Sequence, residues 1–234
     1  MINLLAPIIL FVYNRPWHTE ETLESLMKNE LADQSTLYIY CDGPKKNAAE
    51  EDFKNIKGVN AVIRKKNWCK EVIIIERDTN LGLANSVIKG VSEVIERHGK
   101  VIVLEDDIVT GKFFLKYMNE SLVVYHSEEK VFGISGYKYP SKNSIKKLTY
   151  FLPISSSWSF ATWKNRWDKV NFDGAELLRI IESKNLINNI DFGGILFFKM
   201  LQDQINGKND SWAIRYYISM FLENAFFLYP KKSL

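Results

Sequence analysis

Between residue 7 and about residue 107, short apolar runs alternate with longer segments whose apolar residues fall at helical spacing, and no other feature constrains the fold as strongly. Pro7–Tyr13, Leu37–Cys41, Val72–Ile75 and Val101–Leu104 read as strands. Between them lie three helical segments. Thr19–Asn29 carries Leu23, Leu26 and Met27; Ala48–Lys66 carries Phe53, Ile56 and Val62; a third, ending at Gly99, carries Val87, Ile88, Val91, Val94 and Ile95 on one face. Strands joined through one helix each make βαβ units with right-handed crossovers. The predicted architecture is therefore an open, mostly parallel α/β sheet flanked by helices.

In such a sheet ligands lie outside the carboxyl ends of the strands. Those ends are polar here: Asn14 and Arg15; Asp42; Asp78 and Asn80; and Glu105-Asp106-Asp107. The loops that carry them are predicted to line one crevice. The last of them is the most telling, because three adjacent carboxylates repel one another and a plain turn needs none of them. A hard divalent cation, Mn²⁺ or Mg²⁺, would relieve that repulsion. The competing reading is that the acids cap the helix beginning near Gly111, where negative charge is favourable.

The second half has a different rhythm. Phe113–Tyr125 reads as a helix, Val131–Ser135 as a short strand, Ser141–Lys147 as a basic polar loop, and Phe151–Ile154 as a further strand. Trp158, Trp163 and Trp167 follow within ten residues. Trp163 and Trp167 are four apart, so one helical face would bury both, while a sugar-stacking role would fall to Trp158. Residues 176–205 are helical in pattern and broken at Gly193-Gly194, a helix runs over Ala213–Leu222, and Phe226–Tyr229 reads as a last strand. Asp210 or Ser211 opens that helix as a candidate N-cap.

Composition narrows the functional classes. With 46% hydrophobic residues in a 234-residue chain there is ample core, and a net charge of +3 from scattered basic residues disfavours nucleic acid. Cys41 and Cys69 are too few for a disulfide framework, and His18, His98 and His126 lack zinc-ligand spacing. A cytoplasmic protein is expected. The apolar opening, Met1–Tyr13, falls short of the roughly 20 residues of a spanning helix. Glycine-rich phosphate loops of the dinucleotide and P-loop types are absent.

Val101-Ile-Val-Leu-Glu-Asp-Asp, preceded by Asn80-Leu-Gly-Leu-Ala-Asn and by a first strand ending at Asn14-Arg15, resembles the nucleotide-sugar domain of GT-A glycosyltransferases, with the N-acetylglucosaminyltransferase I family and its bacterial relatives closest. The resemblance spans about residues 5–234 and includes the Trp158–Trp167 segment and Asp210-Ser211-Trp212. It implies a GT-A (Rossmann-like) fold with a helical acceptor-side C-terminal part: residues 1–135 as the nucleotide-sugar-binding α/β subdomain and 136–234 as the acceptor-side subdomain of one continuous domain. It also implies a metal-dependent inverting transfer from a UDP-sugar, with GlcNAc as the candidate sugar, to a glycan or lipid-linked acceptor in bacterial surface-polysaccharide synthesis.

The same resemblance implies roles. Asp107 is the Mn²⁺ ligand, Glu105 and Asp106 touch ribose and donor sugar, Asp42 reads uracil, Arg15 lies beside the nucleotide, Asn85 sits at the diphosphate-facing helix, and Asp210 is the catalytic base. Tyr13, Asn14, Asn80, Gly82 and Trp158 complete the donor-binding set. There are departures. The family's chain runs on beyond its last strand into a segment that closes over the donor, whereas this sequence stops at Leu234, which implies loose donor binding or slow turnover. Asn85 stands where the eukaryotic enzymes have a basic or imidazole-bearing stretch.

Two other functional readings compete. A sugar-phosphate nucleotidyltransferase would carry a glycine-rich basic loop where this chain has Asn14-Arg15-Pro16. A sugar-nucleotide-binding module without turnover is the non-enzymatic alternative. Peripheral contact with the inner face of a membrane would come from Phe197, Phe198, Tyr216, Tyr217, Phe226 and Phe227 set among Lys199, Arg215, Lys231 and Lys232.

Overall fold

The computed structural model describes residues 5–140 and 146–234; most of the predicted Ser141–Lys147 loop and the first four residues of the opening stretch lie outside them. The first half alternates strictly: β1 (Ile8–Val12), α1 (Pro16–Met27), β2 (Thr36–Cys41), α2 (Glu50–Ile63), β3 (Glu71–Glu76), α3 (Leu83–His98) and β4 (Lys100–Glu105). Pro16 explains the abrupt end of β1. Its fixed φ suits the first turn of a helix, and it cannot donate to a sheet ladder. Gly99, in the left-handed region at φ 73°, ends α3 with its N–H donated to the Ile95 carbonyl.

Then come α4 (Phe114–Val124), β5 (Val131–Ser135), β6 (Thr149–Leu152), β7 (Phe160–Trp163), α5 (Lys164–Trp167), α6 (Gly174–Ser183), α7 (Ile187–Ile190), α8 (Phe197–Ile205), α9 (Trp212–Leu222) and β8 (Phe226–Pro230). All the strands join one mixed sheet in the order β3-β2-β1-β4-β7-β5-β8-β6. β1 pairs parallel with β2 and β4, β2 with β3, and β5 with β8; β7 runs antiparallel to both β4 and β5, and β6 antiparallel to β8.

The sheet is buried on both faces. Along β1 the side chains alternate, with Ile9 and Phe11 entering the layer under α3 and α9, and Ile8, Leu10 and Val12 the layer under α1, α2 and α4. No helix among the described residues is long and apolar enough to cross a membrane.

Two expectations are corrected. Trp163 and Trp167 do not share a helical face. Trp163 closes β7, and its ring goes to one core layer, where its indole N–H donates to the Leu122 carbonyl (3.0 Å). Trp167, on α5, goes to the other and donates to Ser92 Oγ (2.9 Å). The aromatic and basic cluster proposed to meet a membrane is not a surface either. Phe197, Tyr216, Tyr217 and Phe227 are buried core, and only Phe198 and Phe226 are partly outward.

Candidate active site

Because β1 to β4 are mutually parallel, all four end on the same edge of the sheet, and the chain turns there into polar loops. A cavity of about 250 Å³ opens at that edge, reached by Tyr13, Asn14 and Arg15 after β1, Asp42 after β2, Asn80 and Gly82 after β3, and Glu105 and Asp106 at the end of β4.

Local hydrogen bonds hold each wall. Asn14 Nδ2 donates to Asp52 Oδ1 (2.8 Å), and Asp52 Oδ2 accepts from the Ala49 N–H (3.0 Å), so the first turn of α2 steadies the end of β1. Asp42 is buried and accepts from Arg77 Nη1 (2.9 Å), Ser86 Oγ (2.8 Å) and the Leu81 N–H (3.1 Å). Asn80 Nδ2 donates to the Gly43 carbonyl (3.2 Å), and Asn80 Oδ1 accepts from the Gly82 N–H (3.0 Å). Asp42 and Asn80 thus lash the loop after β2 to the loop after β3. Gly43 is obligatory in this junction, since a Cβ there would stand 2.5 Å from the Arg77 carbonyl oxygen.

The three acids are treated unequally by the fold. Asp106 is buried and gripped by Arg15, whose Nε lies 3.3 Å from Oδ2 and whose Nη2 bonds Oδ1; Arg15 Nη1 reaches on to Asp107 Oδ2 at 3.1 Å. Burial pushes the Asp106 carboxyl upward, and the Arg15 guanidinium opposes that rise without cancelling it. For Arg15, burial is the largest single influence and lowers its pKa, but the bonds and charges of the two aspartates together outweigh it, so the cation is secured. Glu105 is pushed up to about 7 by burial first and then by the charges of Asp107 and Asp106, with Arg15 and a hydrogen bond to Trp212 pulling the other way.

Asp107 is half-exposed and faces a second cavity, of about 410 Å³, shared with Tyr137, Ser159 and Trp158. Trp158 lies there and not in the first cavity. The residue is 52% exposed, and its ring stands edge-on to Tyr137, with centroids 4.7 Å apart and planes at 87°. That leaves a broad apolar face available to a ligand.

Among the described residues, no three His, Cys, Asp or Glu side chains converge on a point that would enclose a cation. The donor set nevertheless suits Mg²⁺ or Mn²⁺. Asp107 offers hard carboxylate oxygen, of which Oδ1 has no hydrogen-bond partner among the described residues, and these ions typically take one or two protein carboxylates and complete their shell with water and substrate phosphate.

Asp210 stands at the rim of the first cavity, its Oδ2 3.6 Å from where a Cβ on Gly82 would be. Ser211 is the helix cap, its Oγ accepting from the Ile214 N–H (3.2 Å), so Asp210 is not spent on capping α9. Asn85 falls outside the cavity lining; it is exposed and donates to the Leu81 carbonyl (3.1 Å). Sequence reasoning missed Arg77 and Ser86, which hold Asp42, and Lys45 and Leu83 in the cavity wall. Arg77 and Lys45 had a usable signal, since each directly follows a strand or its turn; Ser86, one polar residue in an amphipathic helix, had none.

No protein-family model matches the chain, and neither does any curated protein. Among solved structures, it is similar to the mannosyltransferase PcManGT from Pyrobaculum calidifontis in complex with GDP-Man and Mn²⁺, with a TM-score of 0.48 and 14% identity over 75% of this chain and 46% of that one. It is also similar to TarS of S. aureus, with a TM-score of 0.42 and 15% identity over 62% of this chain and 24% of that one. The chain thus spans less than half the length of either structure. Both likenesses are too remote to carry an activity across.

Proposed function

We propose that this protein is a metal-dependent, inverting glycosyltransferase of the GT-A type that moves a sugar, with GlcNAc as the candidate, from a UDP-sugar to a hydroxyl of a glycan or lipid-linked acceptor in bacterial surface-polysaccharide synthesis. The observation that carries this reading is the convergence of four parallel strand ends on one cavity, with Arg15 and Asp106 on one wall, Asp107 bonded to Arg15 and facing the second cavity, and Asp210 at the rim of the first. In this reading residues 1–135 form the donor half and 136–234 the acceptor half.

The nucleoside enters the first cavity. Asp42 already accepts three hydrogen bonds, and a carboxylate has about four acceptor sites, so one remains for the uracil N–H. Tyr13, Asn14, Asn80 and Gly82 line the nucleotide, and Glu105 and Asp106 face ribose and sugar. Arg15 neutralises phosphate charge by its planar fork. Asp107 holds the divalent cation, which when bound supplies Lewis-acid stabilisation of the departing diphosphate. The sugar then lies toward the second cavity, against Trp158.

Asp210 takes the proton from the acceptor hydroxyl as its oxygen attacks the anomeric carbon. The new carbon–oxygen bond forms on the face opposite the breaking one, and the electron pair of the broken bond leaves on the β-phosphate of UDP. A positioned carboxylate of this kind contributes ~10²- to 10⁴-fold. UDP release with Mn²⁺ and a glycan acceptor tests the proposal. Turnover is expected to stop with EDTA and to fall ~10²-fold or more in Asp210→Asn; full activity in either condition refutes it.

A further inference from the structure

Asp210 sits on the loop between α8 and α9 with its side chain 62% exposed, and no hydrogen bond to that side chain is present among the described residues. A carboxylate so placed rotates freely unless something restrains it, and a general base has to be held within reach of its proton. The neighbouring cation is Arg215, one turn into α9. Its side chain is only 11% exposed and is fixed at two points: Nε donates to the Ser211 carbonyl (3.2 Å) and Nη1 to the Phe172 carbonyl, from the loop before α6 (3.0 Å).

The remaining nitrogen, Nη2, is buried with no hydrogen-bond partner, and it points at Asp210 Oδ1 from 3.5 Å. An unsatisfied buried donor on a charged group is costly, so the arrangement needs a reason. Asp210 is the carboxylate paired with Arg215 among the described residues, and its other oxygen, Oδ2, faces Gly82 on the cavity rim. The base is therefore flanked by a rigid cation on one side and the donor cavity on the other.

We propose that Arg215 is a positioning residue for Asp210: its spare Nη2 donor holds Oδ1 and thereby keeps Oδ2 aimed across Gly82 at the acceptor hydroxyl. The inference rests on Asp210 acting as the base in the reading above. Burial lowers the Arg215 pKa, and the Asp210 charge opposes that fall without cancelling it. A shift of less than 1 Å turns the 3.5 Å approach into a full charge-assisted hydrogen bond when the acceptor enters.

A double-mutant cycle with Asp210→Asn tests the inference. In the otherwise wild-type protein Arg215→Met is expected to lower kcat ~10- to 100-fold, with the donor KM and the calorimetric affinity for UDP within about twofold of wild type, and Arg215→Lys to recover part of the loss. In the Asp210→Asn background, whose residual rate remains measurable, Arg215→Met is expected to cost nothing more. An equal loss in both backgrounds, a loss confined to KM or UDP affinity, or no loss at all overturns the role. Should Arg215→Met not fold, the cycle runs on Arg215→Lys, with the same outcomes deciding. The two proposals fail separately: an active Asp210→Asn removes the base itself, whereas an inactive Asp210→Asn with additive losses removes only Arg215.

Discussion

Cys41 closes β2 one residue before Asp42, and its thiol is pushed up to about 12 by burial first and by Glu76 next; Cys69 is pushed up to about 12 by burial alone. The thiolate is the reactive form, so at pH 8 neither residue is expected to react with Ellman's reagent in the native state, and both react on unfolding in urea. Raised folded-state values also fix the sign of a stability effect. Above about pH 9 the unfolded chain loses these protons first, so stability falls as pH rises through that range. Prompt labelling of a native thiol contradicts this account of the core. At this scale much of the first cavity's lining was legible, because a parallel sheet delivers residues such as Arg15, Asp42 and Glu105 to one edge whatever the details. Arg77, Ser86 and Arg215 were not, since each acts on another side chain across a distance in sequence that single-chain pattern reading does not span.

At the scale of elements the site depends on two loops held together at Gly43. A methyl group there collides with the backbone of Arg77 and Asp78 rather than with a movable side chain, so the loop after β3 has to retreat. Gly43→Ala is expected to lower stability by ~1–3 kcal/mol in urea denaturation and to weaken UDP binding as well. Gly99→Ala is the control. Its φ of 73° costs about 1 kcal/mol for a residue with a Cβ, but chain neighbours aside no atom of the described residues lies within 4 Å of such a Cβ and the position is remote from the cavity, so UDP affinity is expected to stay unchanged. Equal effects of the two on UDP binding contradict the proposed junction. The βαβ half was readable because local periodicity and topology agree there. β7 was not, because Phe-Ala-Thr-Trp shows no alternation when both faces are buried. Its strand character comes from the neighbours β4 and β5, and Thr162 Oγ1 donating to the Phe132 carbonyl (2.8 Å) marks that setting.

At the scale of the molecule, β7 makes one sheet of the two halves, so the cavity bearing Asp42 and Asp106 and the cavity bearing Asp107 and Trp158 lie over one continuous sheet. In the function proposed above, Asp107 has the task of coupling cation, diphosphate and sugar. Arg15 bonds Asp107, so a cation arriving alone would compete with a guanidinium, whereas one arriving with diphosphate would gain phosphate ligands and give Arg15 a new partner. The decisive measurement is therefore calorimetric titration of UDP into wild type and Asp107→Asn, each with Mn²⁺ and with EDTA. Mn²⁺ is expected to tighten UDP binding ~10-fold or more in wild type and to have no effect in Asp107→Asn, whose metal-free affinity stays within about twofold. Equal wild-type affinity with Mn²⁺ and EDTA, or Mn²⁺ enhancement that persists in Asp107→Asn, contradicts the account.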